Sequence, residues 1–192
     1  SYGNILEPSC GTGRFFGRLP DDMNRSNLYG IEIDSITGRI AKQLYQKANI
    51  AVEGFEDTKL PDSFFDVAIS NVPFGQFKVS DSRYDKLNFN IHDYFFAKSI
   101  DKVRSGGIIA FVTSRFTMDK KNSKVRRYIN ERAEFVGAIR LPNNAFDDTK
   151  AVSDIIFLKK RDNLSLDEPD WLFTGYSEEG LAINRILLII PI

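Results

Sequence analysis

Asn4-Ile5-Leu6-Glu7-Pro8-Ser9-Cys10-Gly11-Thr12-Gly13 reads as a short apolar strand running into a loop of small residues, and Arg14, Phe15, Phe16 and Gly17 read as the helix behind it. Strand, glycine loop and helix in that order make a nucleotide-type ligand loop. Gly11 and Gly13 allow close backbone approach to a ligand, and the N-terminus of the helix favours a carboxylate or phosphate. A dinucleotide fingerprint requires G-x-G-x-x-G. After Gly11-Thr12-Gly13 the next glycine is Gly17, one place late, and the acidic Glu7 precedes the loop. The pattern speaks against NAD.

Leu28 to Ile33 reads as a second strand that ends in Glu32-Ile33-Asp34, with a helix from Ile36 to Ala48 after it. A carboxylate at the tip of the second strand accepts from ribose hydroxyls, and the glycine core of the loop carries no Arg or Lys. Together these suit a ribose ligand without phosphates. The plainer alternative is an acid that favours the helix start through the helix dipole.

Phe64 to Ser70 is an apolar run of strand length, and Asn71-Val72-Pro73-Phe74 follows directly. Pro73 removes a ladder donor and holds Val72 extended, so the strand stops there and presents the Asn71 amide and the Val72 carbonyl at its end. Carboxyl ends of strands border the ligand crevice in open α/β sheets. Two acceptors and the flat Phe74 could there grip and stack an aminated base. The alternative is a strand-end turn with a polar Asn and a core Phe.

At 192 residues the chain fits one domain with a core of mixed helices and strands. Lys plus Arg and Asp plus Glu both number 26, so no global positive field draws it to nucleic acid, and any DNA contact must be local. The single cysteine, Cys10, excludes an internal disulfide, and the single histidine, His92, excludes a His/Cys zinc cluster. Both fit a reducing cytoplasm, and no metal is expected. No run approaches a membrane span, and the start lacks a basic-then-apolar signal pattern. The abrupt start at Tyr2-Gly3-Asn4 suggests a missing upstream segment.

Further along, Ala51 to Gly54 reads as a third strand, Gly75 to Asn90 as a mobile surface loop, and Asp93 to Val103 as a helix stopped by Ser105-Gly106-Gly107. His92 reads as a capping or surface residue. Ile108 to Thr113, Phe135 to Leu141 and Asp154 to Lys160 read as strands. Lys120, Lys121, Lys124, Arg126 and Arg127 form either a phosphate-contacting patch or a solvated helix face with Val125, Tyr128 and Ile129 turned inward. Beyond Arg161, the acidic stretch and Trp171 read as peripheral, and the apolar end from Ile186 to Ile192 should pack on something.

The three ordered motifs, Leu6 to Gly13, Gly30 to Asp34 and Asn71 to Phe74, carry a resemblance to the Asn-Pro-Pro-Phe/Tyr group of S-adenosylmethionine-dependent N6-adenine DNA methyltransferases. The chain most resembles the methylase modules of helicase-methylase proteins from conjugative elements and phages, from Gly3 to about Arg161. The resemblance implies an α/β, Rossmann-like class I methyltransferase fold, a mostly parallel seven-stranded sheet with helices on both faces. It implies a methyltransferase domain over 1–161 and a peripheral extension over 162–192. S-adenosylmethionine is the implied cofactor. Glu7, Pro8, Cys10, Gly11 and Gly13 would hold its methionine part, Glu32 its ribose, and Ile33 its adenine, with Glu56 preferred over Asp57 as a second adenine neighbour. Asn71, Val72, Pro73 and Phe74 take the catalytic positions. Phe146, in Leu141-Pro142-Asn143-Asn144-Ala145-Phe146, stands where related enzymes place an aromatic near the flipped base, against a core-packing alternative.

The implied partner is DNA, with other domains of a larger polypeptide beside it. Val72 departs from the family's first Pro, which frees Asn71 from its before-proline restriction. The same grip serves cytosine N4 and protein glutamine amides. A module that binds S-adenosylmethionine without catalysis also stays open, since neither an upstream cofactor segment nor a basic target-recognition region is visible.

Overall fold

The computed structural model describes residues 3–143, 145 and 152–188. Strands β1 (Asn4–Glu7), β2 (Asn27–Ile31), β3 (Asn49–Ala51), β4 (Phe65–Asn71), β5 (Val103–Ser114), β6 (Ala133–Arg140) and β7 (Ser153–Lys160) form one sheet in the order β3-β2-β1-β4-β5-β7-β6. The first five run parallel, and β7 is antiparallel between β5 and β6. The chain steps outward from β1 to β3 and then returns to β4 on the other side of β1. The crevice at the carboxyl ends of β1 and β4 is therefore the topological switch point, where sheets of this kind bind ligands.

Strand alternation builds a core on each face. Leu6, Ile31, Phe65 and Ala68 pack with Phe95, Phe96 and Ile100 of helix α2 (Ile91–Lys102), and with Val125 and Ile129 of helix α4 (Lys124–Arg132). Leu28, Ile50, Cys10 and Phe16 pack on the other face with Ala41 of helix α1 (Ser35–Leu44). A short helix α3 (Phe116–Asp119) leads from β5 towards α4, and a hairpin of β8 (Thr174–Tyr176) and β9 (Ala182–Asn184) precedes α5 (Arg185–Leu188).

Several elements differ from the sequence expectations for local reasons. No α-helix follows the glycine loop: 3-10 turns at Phe16–Arg18 and Asp21–Met23 stand there instead. Gly13, Gly17 and Pro20 deny that stretch the propensity for a longer helix, so no helix dipole serves the loop. The third strand is Asn49–Ala51, not Ala51 to Gly54, because α1 ends at Leu44 and frees the chain earlier. Asp34 is the N-cap of α1, its side chain accepting from the Thr37 N–H at 2.7 Å. Ser105-Gly106-Gly107 lies inside β5 as an irregularity; a Cβ at Gly107 would stand 2.8 Å from the Asp66 carbonyl, and Gly106 has φ +74.

The basic run divides by environment. Arg126 is only 1% exposed and donates to the carbonyls of Leu172, Thr117 and Lys120, while Arg127 pairs with Glu168 and Lys124 donates to the Leu87 carbonyl. It is thus not one solvated face. Trp171 is buried rather than peripheral: its ring stacks on Phe135 at 4.8 Å, and its indole N–H donates to Asn130 Oδ1 at 3.2 Å. Ile186 and Leu187 pack against the main core. The 75–90 segment is anchored by buried Tyr84 and Phe89, and Asp81 accepts from Lys98 and Tyr94.

Candidate active site

The site starts from the register of the sheet. Glu7 pairs with Gly30, and Asn71 pairs with Val112, so the ends of four neighbouring strands present one edge. Glu7, Cys10, Gly11, Glu32, Asn71 and Val112 line a single cleft of about 530 Å³ there. The glycine loop and the strand-end Asn71 open onto the same space.

The second-strand carboxylate shapes the loop. Glu32 Oε2 accepts from the Gly11 N–H at 2.8 Å, and Oε1 accepts from the Asp34 N–H at 2.8 Å. A carboxylate holds more lone pairs than these two bonds use, which leaves acceptors for hydroxyls. Gly11 has φ +54, a conformation that favours glycine, and a Cβ there would meet open space. Gly13 serves packing instead: a Cβ would lie 2.5 Å from the Tyr45 ring. The Cys10 N–H donates to the Ile31 carbonyl at 2.8 Å, and burial pushes its thiol up to about 12.

Glu7 is 2% exposed, and its Oε2 has no hydrogen-bond partner. Burial, with Glu32 adding to it, pushes this carboxyl up to about 8. An unmatched buried acid at the floor of a cleft calls for a donor or a positive charge. A ligand with a cationic centre and a ribose fits this set of groups.

Val72 explains its own departure from proline. Its N–H donates to the Val112 carbonyl at 3.1 Å, and its side chain is buried in the main core, so a ladder bond and packing fix the segment that proline would otherwise stiffen. Pro73 then ends the ladder. Phe74 packs partly against the main core and lines a second hollow of about 460 Å³ with Ser114, Phe116 and Lys120.

Pro8, Gly13, Ile33, Glu56, Val72, Pro73 and Phe74 are not among the residues lining the first cleft. Ile33 is exposed beside Glu32, and the Glu56 carboxylate lies over Gly54. Phe146 lies outside the described residues. Sequence reasoning missed Ser9, Thr12, Arg14, Phe15, Arg18 and Val112 as lining residues. Only strand pairing brings Val112 to Asn71. His92, expected at the surface or as a cap, is buried and lines the second hollow.

Fold and cleft together define an α/β protein with the class I S-adenosylmethionine-dependent methyltransferase fold. A Listeria monocytogenes protein assigned to that class superposes with a TM-score of 0.69 at 21% identity, over 88% of this chain and 55% of that one. The M protein of the type I restriction enzyme EcoKI superposes with a TM-score of 0.66 at 16% identity, over 96% of this chain and 42% of that one.

The chain belongs to the N-6 DNA Methylase family, whose model matches residues 1–184. It is 32% identical over 166 residues to the defense against restriction protein B of Escherichia phage P1, covering 82% of this chain and 7% of that protein. It is 27% identical over 114 residues to the modification methylase CviBIII of Paramecium bursaria Chlorella virus NC1A, covering 57% of this chain and 30% of that protein. It thus spans under a third of either. Membership places the chain among the N-6 DNA methylases, on the fold of S-adenosylmethionine-dependent methyltransferases.

Proposed function

We propose that this chain methylates the exocyclic N6 of adenine in DNA. The observation that carries the proposal is the shared cleft of Asn71 with Glu7, Gly11 and Glu32. The cofactor supplies an electrophilic methyl on a sulfonium. The Asn71 side-chain oxygen and the Val72 carbonyl accept the two amine N–H groups, which turns the amine lone pair towards that methyl. Phe74 stacks the extruded base. The N–C bond would form as the S–C bond breaks, leaving a neutral thioether, the amine's extra proton would pass to solvent, and the chain's contribution is positioning and electrostatics. Glu32 would take the ribose hydroxyls, Glu7 would face the cationic part, Cys10 and the Pro8 to Gly13 loop would surround the methionine part, and Ile33 and Glu56, beyond the cleft lining, would flank the cofactor adenine.

The test is transfer of tritiated methyl groups to duplex DNA, followed by hydrolysis and separation of the nucleosides. Label in N6-methyladenine is the expected result. Label in N4-methylcytosine, or in protein and not DNA, overturns the adenine assignment.

We also infer a larger assembly around this unit. On the sheet face opposite α2, Val67, Ile69, Ile108, Ala110, Val112 and Phe157 form an apolar surface that stays half-buried. Parallel sheets are ordinarily covered on both faces. A dye that fluoresces on apolar surface should bind the folded chain, and silence of the dye would count against a docking face.

A further inference from the structure

The second hollow holds a group that neither the fold nor the proposed chemistry uses. His92 sits in the first turn of α2, 5% exposed, and it lines the hollow with Phe74, Asn90, Ser114, Phe116 and Lys120. Its Nδ1 is buried without a hydrogen-bond partner, and Nε2 stands 3.6 Å from Asp93 Oδ1, beyond hydrogen-bond reach. A buried polar atom left unmatched is costly, and such atoms in native folds ordinarily have a partner. Burial, with Lys120 contributing, outweighs the Gly75 carbonyl beside the ring and holds it down at about 4, so it is neutral at pH 7 and offers one donor and one acceptor.

The hollow adjoins the first cleft. Val112 lines the cleft with Asn71, and Ser114 lines the hollow. Two residues apart on β5, they project from one face with roughly 7 Å between them along the strand, about the span of a nucleobase. The backbone from Asn71 to Phe74 bridges the same gap. A base with its amine at Asn71 and its ring over Phe74 therefore extends towards His92.

We propose that His92 is a specificity-determining residue for the target base, its ring N–H donating to the adenine N1 beside the reacting amine. The proposal rests on the adenine reading above. Flipped bases are commonly read on this edge. Lys120 is exposed at the mouth, where a solvated ammonium suits a phosphate.

The test compares methyl transfer to DNA containing adenine or 1-deazaadenine, in which N1 is C–H, for the parent chain, His92→Ala, His92→Gln and Lys120→Ala. The parent should lose about tenfold in kcat/KM on the deaza substrate. His92→Ala should lose about tenfold on adenine and show no further loss on 1-deazaadenine. His92→Gln, which keeps a donor, should recover part of the adenine rate. Lys120→Ala should weaken binding in a salt-dependent way and keep the deaza penalty. If the deaza penalty persists undiminished in His92→Ala, or if the parent is blind to the change, the proposed contact is overturned while the adenine assignment stands. Failure of the parent to methylate adenine DNA overturns the adenine assignment and the contact with it.

Discussion

The Ser70 hydroxyl donates to the Ser9 carbonyl at 3.3 Å, so the residue before Asn71 holds the middle of the glycine loop. The ends of β1 and β4 at the cleft are tied through one part-buried bond. Ser70→Ala should cost about 1 kcal/mol, a drop of roughly 2–4 °C in melting temperature, and should raise the Kd for S-adenosylmethionine severalfold. Thermal denaturation and calorimetry measure the two effects.

Asn71 stands at the exposed end of β4 and lines the cleft. Asn71→Ala should leave cofactor affinity within about twofold and reduce methyl transfer by about a hundredfold or more, the scale of losing one positioned polar group in a transition state. Undiminished methyl incorporation by this variant would refute the role assigned to the amide.

The Val72 N–H is a ladder donor, so restoring the family's proline should be harmful here. Val72→Pro removes the bond to the Val112 carbonyl and a side chain buried in the main core. The expected loss is about 1–3 kcal/mol in denaturant unfolding. A variant as stable as the parent would show that the ladder bond contributes nothing.

Glu7 makes stability depend on pH in a definite sense. Its carboxyl is raised from 4.5 to about 8 in the fold, so between those values the folded chain keeps a proton that the unfolded chain has lost. This part of the stability is fully present below about 4.5 and is lost as pH rises towards 8. Glu7→Gln cannot ionise, and its melting temperature relative to the parent should climb across that window. Binding of the cationic cofactor should also expel the Glu7 proton at pH 7, visible as a dependence of calorimetric heat on the buffer's ionisation enthalpy.

Trp171 tests whether the residues beyond Arg161 belong to the folded unit. Trp171→Ala removes the stack on Phe135 and the bond to Asn130, and it should cost about 3–5 kcal/mol. A melting temperature unchanged from the parent would return this segment to the periphery.

Much of the site was legible in the chain because its parts are short and local. A strand, a glycine pair and an acid before them announce a ligand loop, and the strand-ending Asn71-Val72-Pro73-Phe74 announces a polar tip with an aromatic beside it. Apolar runs also marked most of the strands. Two other features misled: Arg14 to Gly17 look helical until Gly13, Gly17 and Pro20 are weighed together, and His92 looks superficial because a single polar residue at a helix start usually is.

Residue order alone determined the glycine loop, the second-strand acid and the strand-ending Asn71-Val72-Pro73-Phe74, since each depends on backbone conformations set by neighbours a few positions away. Only the tertiary structure decided that the loop, Glu32 and Asn71 share a cleft, that Val112 faces Asn71, that Arg126 and Trp171 are interior, and that His92 borders a second hollow. Such facts depend on strand register and on which surfaces helices cover. Register and coverage are set by the summed burial of residues far apart in the chain, and no local pattern encodes that sum.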